Sequence, residues 1–178
     1  MLFAVTIAIN ALLLFLLEPM FAKMALPHFG GTAAVWTTCV LFFQLALVAG
    51  YLYAHALARL PRTRDQLAVH AVVAAGAAFT LPILIPPTWS PSIGVRPEFA
   101  LLVILVRRIG AVFVVLSAGS PLLQHWATTK RQSEGKDPFS LYSASNIGSF
   151  VALVAYPFVI EPHWTLRVQA TAWVVAYV

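Results

Sequence analysis

Four ionisable residues lie in or at the ends of long apolar runs, and their spacing points to ion or proton chemistry inside a membrane. Glu18 follows an apolar stretch that begins at Leu2. A carboxylate at membrane depth is costly to hold, so it is expected to face a bundle interior or a cavity. Helical rise places Glu18 roughly 10 Å from the outer end of its helix, at about 1.5 Å per residue. Pro19 follows directly and is expected to kink the helix and free backbone carbonyls. Two readings stand: a proton or cation site, or a helix-end carboxylate paired with Lys23 or with backbone. Arg107 and Arg108 sit at a matching depth, roughly 12 to 14 Å in from Phe99 by the same rise. An ion pair from Glu18 to Arg107 or Arg108 would lower the cost of both charges and form a gate that a cation or proton opens. If the fourth helix instead starts near Ile109, the arginines snorkel to the interface. Glu161, in the turn Glu161-Pro162-His163-Trp164, is a second acidic candidate.

The run Tyr142-Ser143-Ala144-Ser145-Asn146-Ile147-Gly148-Ser149 is polar for a membrane segment. Ser145 and Ser149, and Ala144 and Gly148, are four apart, a spacing that lets helices approach closely. Asn146 is a candidate ligand contact because a buried amide needs partners, and Tyr142 is an aromatic candidate beside it. Asn10, Gln44 and Gln124 call for the same attention. His55 and His70 lie within spans, whereas His28, His125 and His163 fall at helix ends; no pair has metal-ligand spacing on one helix face. The single cysteine, Cys39, lies in an apolar run and reads as a small buried residue. No phosphate loop, nucleophile elbow, zinc motif or redox cysteine pair is present, so the sequence offers no catalytic, metal or cofactor-binding residue.

The elements that must position these residues are membrane helices. The chain of 178 residues is 61% hydrophobic and 10% charged, and its mean hydropathy is +0.86. Soluble domains carry roughly 25% charged residues, so the bilayer is the solvent that suits this surface. The fold class is all-α, a polytopic bundle of six helices forming one transmembrane domain over residues 1–178. The spans are Leu2–Ala25, Ala33–Leu57, Leu67–Ile85, one within Phe99–Trp126 that is tilted or broken near Gly119-Ser120-Pro121, Phe139–Ile160, and a last one from Thr165 to Val178. The first run lacks a basic n-region and a cleavage site, and reads as a helix rather than a signal peptide. The last run reaches Val178 in mid-span, so the chain is expected to be the N-terminal part of a longer protein, completed by a missing C-terminal half or a homodimer partner.

The net charge of +5 does not imply nucleic acid, because the basic residues sit in short loops. Arg59, Arg62, Arg64, Lys130, Arg131 and Lys136 share one side; Lys23, Arg96 and Arg167 share the other. The positive-inside rule places the six-charge side and the N-terminus in the cytoplasm of a cell with this protein in its inner membrane. Leu17-Glu18-Pro19 and Ile160-Glu161-Pro162 echo each other, a faint sign of an internal repeat.

Three stretches together resemble a known family. The first is Leu17-Glu18-Pro19-Met20, Lys23-Met24, Leu26-Pro27, Gly30-Gly31 and Ala34-Val35-Trp36-Thr37-Thr38-Cys39, leading into Phe42-Phe43-Gln44 and Ala49-Gly50-Tyr51-Leu52-Tyr53-Ala54-His55. The second is Leu116-Ser117-Ala118 with Ser120-Pro121-Leu122-Leu123-Gln124 and Trp126. The third is Asp137-Pro138-Phe139, Leu141-Tyr142, Ser145-Asn146-Ile147-Gly148-Ser149, Ala155-Tyr156-Pro157 and Glu161-Pro162. They resemble the membrane part of bacterial spermidine-synthase-like proteins, a major facilitator-like domain fused to a spermidine synthase domain. The resemblance implies half of a major facilitator bundle followed by further helices and a soluble aminopropyltransferase-like domain. That domain's catalytic residues have no counterpart here, so this chain alone is not expected to be an enzyme. The expected function is to transport a small cationic metabolite such as a polyamine, or to deliver it to the fused enzyme. The alternatives are a non-transporting anchor or regulator of that enzyme, and a fragment without independent activity.

Overall fold

The computed structural model describes residues 2–86, 89–90, 94–133 and 139–178, and the side chains of all of these except 129–133. The described residues are all-helical, without strands. We number six helices. α1 is Leu2–Phe29, α2 Ala33–Ala58 and α3 Thr63–Ala78. α4 starts as Pro97–Leu105, passes through a π-helical turn at Val106–Gly110 and continues as Ala111–Ser133. α5 starts as Phe139–Ala155, passes through a π-helical turn at Tyr156–Ile160 and ends as Glu161–His163. α6 is Leu166–Tyr177. Four of them, α1, α2, α4 and α5, are long and apolar enough to cross a membrane. The loop with Glu134, Lys136 and Asp137 lies outside the described residues.

Local chemistry sets the ends. α1 does not stop before Pro27: it runs through Pro19 and Pro27 to Phe29, where Gly30 at φ 74° closes it and donates its N–H to the Leu26 carbonyl at 2.8 Å. In lipid a continuous helix keeps backbone groups satisfied, and a glycine in the left-handed region supplies the stop. Thr32 caps α2 and Thr165 caps α6, each hydroxyl accepting the N–H three residues on at 3.4 Å. α4 is not broken near Gly119-Ser120-Pro121; its irregularity is the π turn that holds Arg107 and Arg108. α5 likewise extends through Glu161-Pro162-His163 instead of turning there. The π turn accommodates Pro157 and Pro162: neither can donate to a helical carbonyl, and the Glu161 N–H reaches five residues back to the Tyr156 carbonyl.

The third span departs most from the sequence reading. α3 stops at Ala78, and Phe79, Thr80 and Leu81 close it with bonds three residues back. Pro82 disfavours helical backbone at Leu81, and residues 81–86 are not helical. Ile83 and Ile85 are nonetheless buried in the core, so this stretch packs against protein instead of lipid.

α1 and α4 form the centre. Asn10 on α1 donates to the Leu116 carbonyl and to Ser120 Oγ, both at 2.9 Å, where the chains cross at Gly119. Gly148 on α5 lies against the Ala8 carbonyl, and Gly50 on α2 against Ser117 of α4. The Gly148 approach bears out the small-residue packing expected around Ser145–Ser149. The main packing pairs are α1 with α5, α2 with α4, and α1 with α4. Smaller ones join α3 to α4, α1 to α6, α1 to α2 and α4 to α5. Exchanging α1 with α4, α2 with α5 and α3 with α6 carries this set of pairs onto itself. The bundle is thus two three-helix units packed in the same way. The matching tripeptides sit instead on α1 and α5, which are packed neighbours and not symmetry mates.

Candidate functional site

The acidic candidates converge between α1, α2 and α5. Pro19, Ala22, Lys23 and Leu26 of α1, Val35, Trp36 and Cys39 of α2, and Leu153, Tyr156, Pro157 and Glu161 of α5 wall a groove of about 640 Å³. A second cavity of about 270 Å³ adjoins it, sharing Pro19, Ala22, Trp36, Cys39 and Leu153, and adds Glu18, Phe43 and Gln44. Lys23 and Glu161 form an ion pair across the groove from α1 to α5. Both side chains are more than a third exposed, so the pair orders the groove more than it stabilises the fold.

Glu18 is half-buried and, among the described residues, makes no ion pair or hydrogen bond. Neither pairing foreseen for it is present. Lys23 is taken by Glu161. Arg108 lines a different cavity, with Met24, His28 and Arg167, and Arg107 is exposed. The physical reason is direction and not depth. Asn10 bonds the Leu116 carbonyl, and Glu18 and Arg108 each lie eight residues from that crossing toward the same end of the two antiparallel helices, about 12 Å of helical rise. Glu18 faces the cavity shared with α2, whereas Arg108 lines the one with His28 and Arg167, and α4 starts at Pro97, so the arginines are held within a helix and do not mark its start.

Asn146 and Tyr142 are exposed on α5, Tyr142 by 55%, and neither lines the groove. Asn10 is used in packing. Gln44 shares the cavity of Glu18. Sequence reasoning missed Trp36 and Tyr156 as site residues. Tyr156 precedes Glu161 by five residues, the reach of a π turn, which a 3.6-residue period does not bring to one face.

A further cavity of about 270 Å³ lies between α1, α5 and α6, walled by Leu13, Met20, Tyr156, Trp164, Gln169 and Trp173 among others. Tyr156 Oη and Gln169 Oε1 are both buried there without a hydrogen-bond partner in the protein. Gln169 Nε2 is fixed by the Trp164 carbonyl at 2.8 Å, so its oxygen is held in place. Tyr156 therefore stands between the charged groove and a neutral, aromatic cavity.

The groove and the Glu18 cavity hold two carboxylates and one ammonium. Lys23 offsets Glu161, and Glu18 remains as an uncompensated acceptor beside an amide and an indole. This arrangement suits a cation. Among the described residues no group of three or more His, Cys, Asp and Glu side chains could hold a metal ion.

No protein-family model, curated protein or solved structure matches this chain. The family resemblance rests on its short motifs alone.

Proposed function

We propose that this chain is the membrane domain of a transport system for a small cationic metabolite such as a polyamine, moving it or delivering it to a fused enzyme. The observation that carries the reading is Glu18: a carboxylate at membrane depth, without a counter-charge, opening into a cavity contiguous with the Lys23–Glu161 groove. A primary ammonium would find a carboxylate, the Gln44 amide and the Trp36 ring there. Tyr156 closes the inner wall. A diamine or triamine would set one ammonium on Glu18 and compete with Lys23 for Glu161. The groove is open along Trp36, which is 65% exposed, so a second copy or further helices would enclose the path. The proposed setting is a bacterial inner membrane, with the N-terminus and the arginine-rich loop Arg59–Arg64 in the cytoplasm.

The test is uptake of labelled spermidine into proteoliposomes holding the full-length protein, wild type against Glu18→Gln. The reading expects uptake that depends on Glu18. Uptake absent from wild type, or unchanged by Glu18→Gln, overturns it and leaves a membrane anchor or regulator.

A further inference from the structure

We propose that the cavity between the end of α1, the π turn of α4 and the start of α6 binds a phosphate-bearing anion, as carried by an anionic phospholipid headgroup or by a free phosphorylated molecule. The cavity has a volume of about 580 Å³ and is walled by Met24, Pro27, His28, Pro82, Leu84, Ile85, Pro86, Arg108, Leu166 and Arg167. It is separate from the Glu18 groove, and its lining contains no carboxylate. Arg108 and Arg167, on helices far apart in sequence, both line it. Neither guanidinium makes a hydrogen bond or ion pair with another described residue. A guanidinium matches a phosphate with two parallel N–H donors, and two of them on one cavity repel unless an anion sits between them.

Three further features fit the same ligand. Arg167 lies in the first turn of α6, a helix of 12 residues, so the positive end of that helix points the same way. His28 is held edge-on against Trp89, with ring centroids 5.7 Å apart, and presents an imidazole that donates or accepts. The remaining walls are apolar, from Met24, Leu84, Ile85 and Leu166. A free inorganic ion has no use for such walls; the glycerol and upper acyl carbons of a lipid do. The level of the cavity agrees, since it is framed by the end of α1 and the start of α6, where headgroups lie. Arg108 is placed there by the π turn of α4, which gives that turn a role in holding the site.

The test uses the full chain in mixed micelles containing phosphatidylglycerol and phosphatidylcholine, with lipid adducts counted by native mass spectrometry. The expected result is retention of phosphatidylglycerol over phosphatidylcholine that falls about tenfold or more in Arg108→Gln/Arg167→Gln. Arg108→Lys/Arg167→Lys, which keeps the charge, retains most of it and guards against a folding failure. Arg62→Gln/Arg64→Gln removes the same charge elsewhere and leaves retention unchanged. If millimolar inorganic phosphate or glycerol phosphate displaces the lipid through the same arginines, the site serves a free phosphorylated molecule; if it does not, the lipid headgroup is the ligand. Equal retention in the Arg108→Gln/Arg167→Gln protein, equal binding of phosphatidylcholine, or an equal loss in Arg62→Gln/Arg64→Gln overturns the proposal.

Discussion

Gly148 of α5 lies directly on the carbonyl of Ala8 in α1, so close that no Cβ fits between them. The neighbour is backbone and cannot swing aside. Gly148→Ala is therefore expected to destabilise the bundle by about 1–3 kcal/mol through overpacking. Gly76 of α3 has open space at its Cβ position, and Gly76→Ala should be neutral or stabilising by up to about 1 kcal/mol. Thermal unfolding of the two variants in the same detergent checks both signs.

A buried amide helps to tie the short third helix to the bundle. Gln66 Oε1 accepts from Trp126 Nε1 at 2.6 Å, while Gln66 Nε2 donates to the Leu60 carbonyl at 2.7 Å. Both residues are buried. Gln66→Leu leaves the indole N–H without its partner and should cost about 1–3 kcal/mol. Trp126→Phe alone also loses the bond. A double-mutant cycle should return a coupling of about 0.5–3 kcal/mol; a value near zero would remove this bond from the account of how α3 docks.

In the groove the two charges of the Lys23–Glu161 pair have opposite expected effects. Lys23→Gln frees Glu161 and should tighten spermidine binding by about threefold to tenfold, whereas Glu161→Gln should weaken it by a similar factor. Stability should change by less than about 1 kcal/mol in either variant, because both side chains are more than a third exposed. Isothermal titration on detergent-solubilised protein separates the two; equal weakening in both would mean that the pair acts only as a strut.

Tyr156 offers a test of the neutral cavity. Its hydroxyl is buried without a protein partner, so Tyr156→Phe removes an unsatisfied group. The variant should be as stable as wild type, or more stable by up to about 1 kcal/mol. A loss of thermal stability would show that the hydroxyl has a partner in the folded protein in its membrane.

The class of the protein was plain from its apolar runs, because a 20-residue stretch without charge has few other homes. The elements with helical continuity, α1, α2 and α5, agreed with those runs to within a few residues. The third span departs from the hydropathy reading because hydropathy is blind to backbone: Leu81–Pro86 is apolar enough for lipid, yet Pro82 disfavours helical backbone at Leu81, and Ile83 is buried in protein. Glu18 and Glu161 were legible as acidic candidates. The partner of Glu161 was not, since the pairing of Lys23 with Glu161 depends on which helices pack side by side. Depth counted along each helix put Arg108 and Glu18 at one level, but it could not show that they face different cavities.

The π turn at Tyr156–Ile160 has a consequence for register. A π turn holds one residue more than an α turn, so every side chain beyond it is rotated by about 100° from where an unbroken helix would put it. Glu161 faces Lys23 only because of that added residue. A relative without it would carry the same Glu-Pro pair on another face, and an alignment that closed the one-residue gap would equate two acidic groups that look into different surroundings.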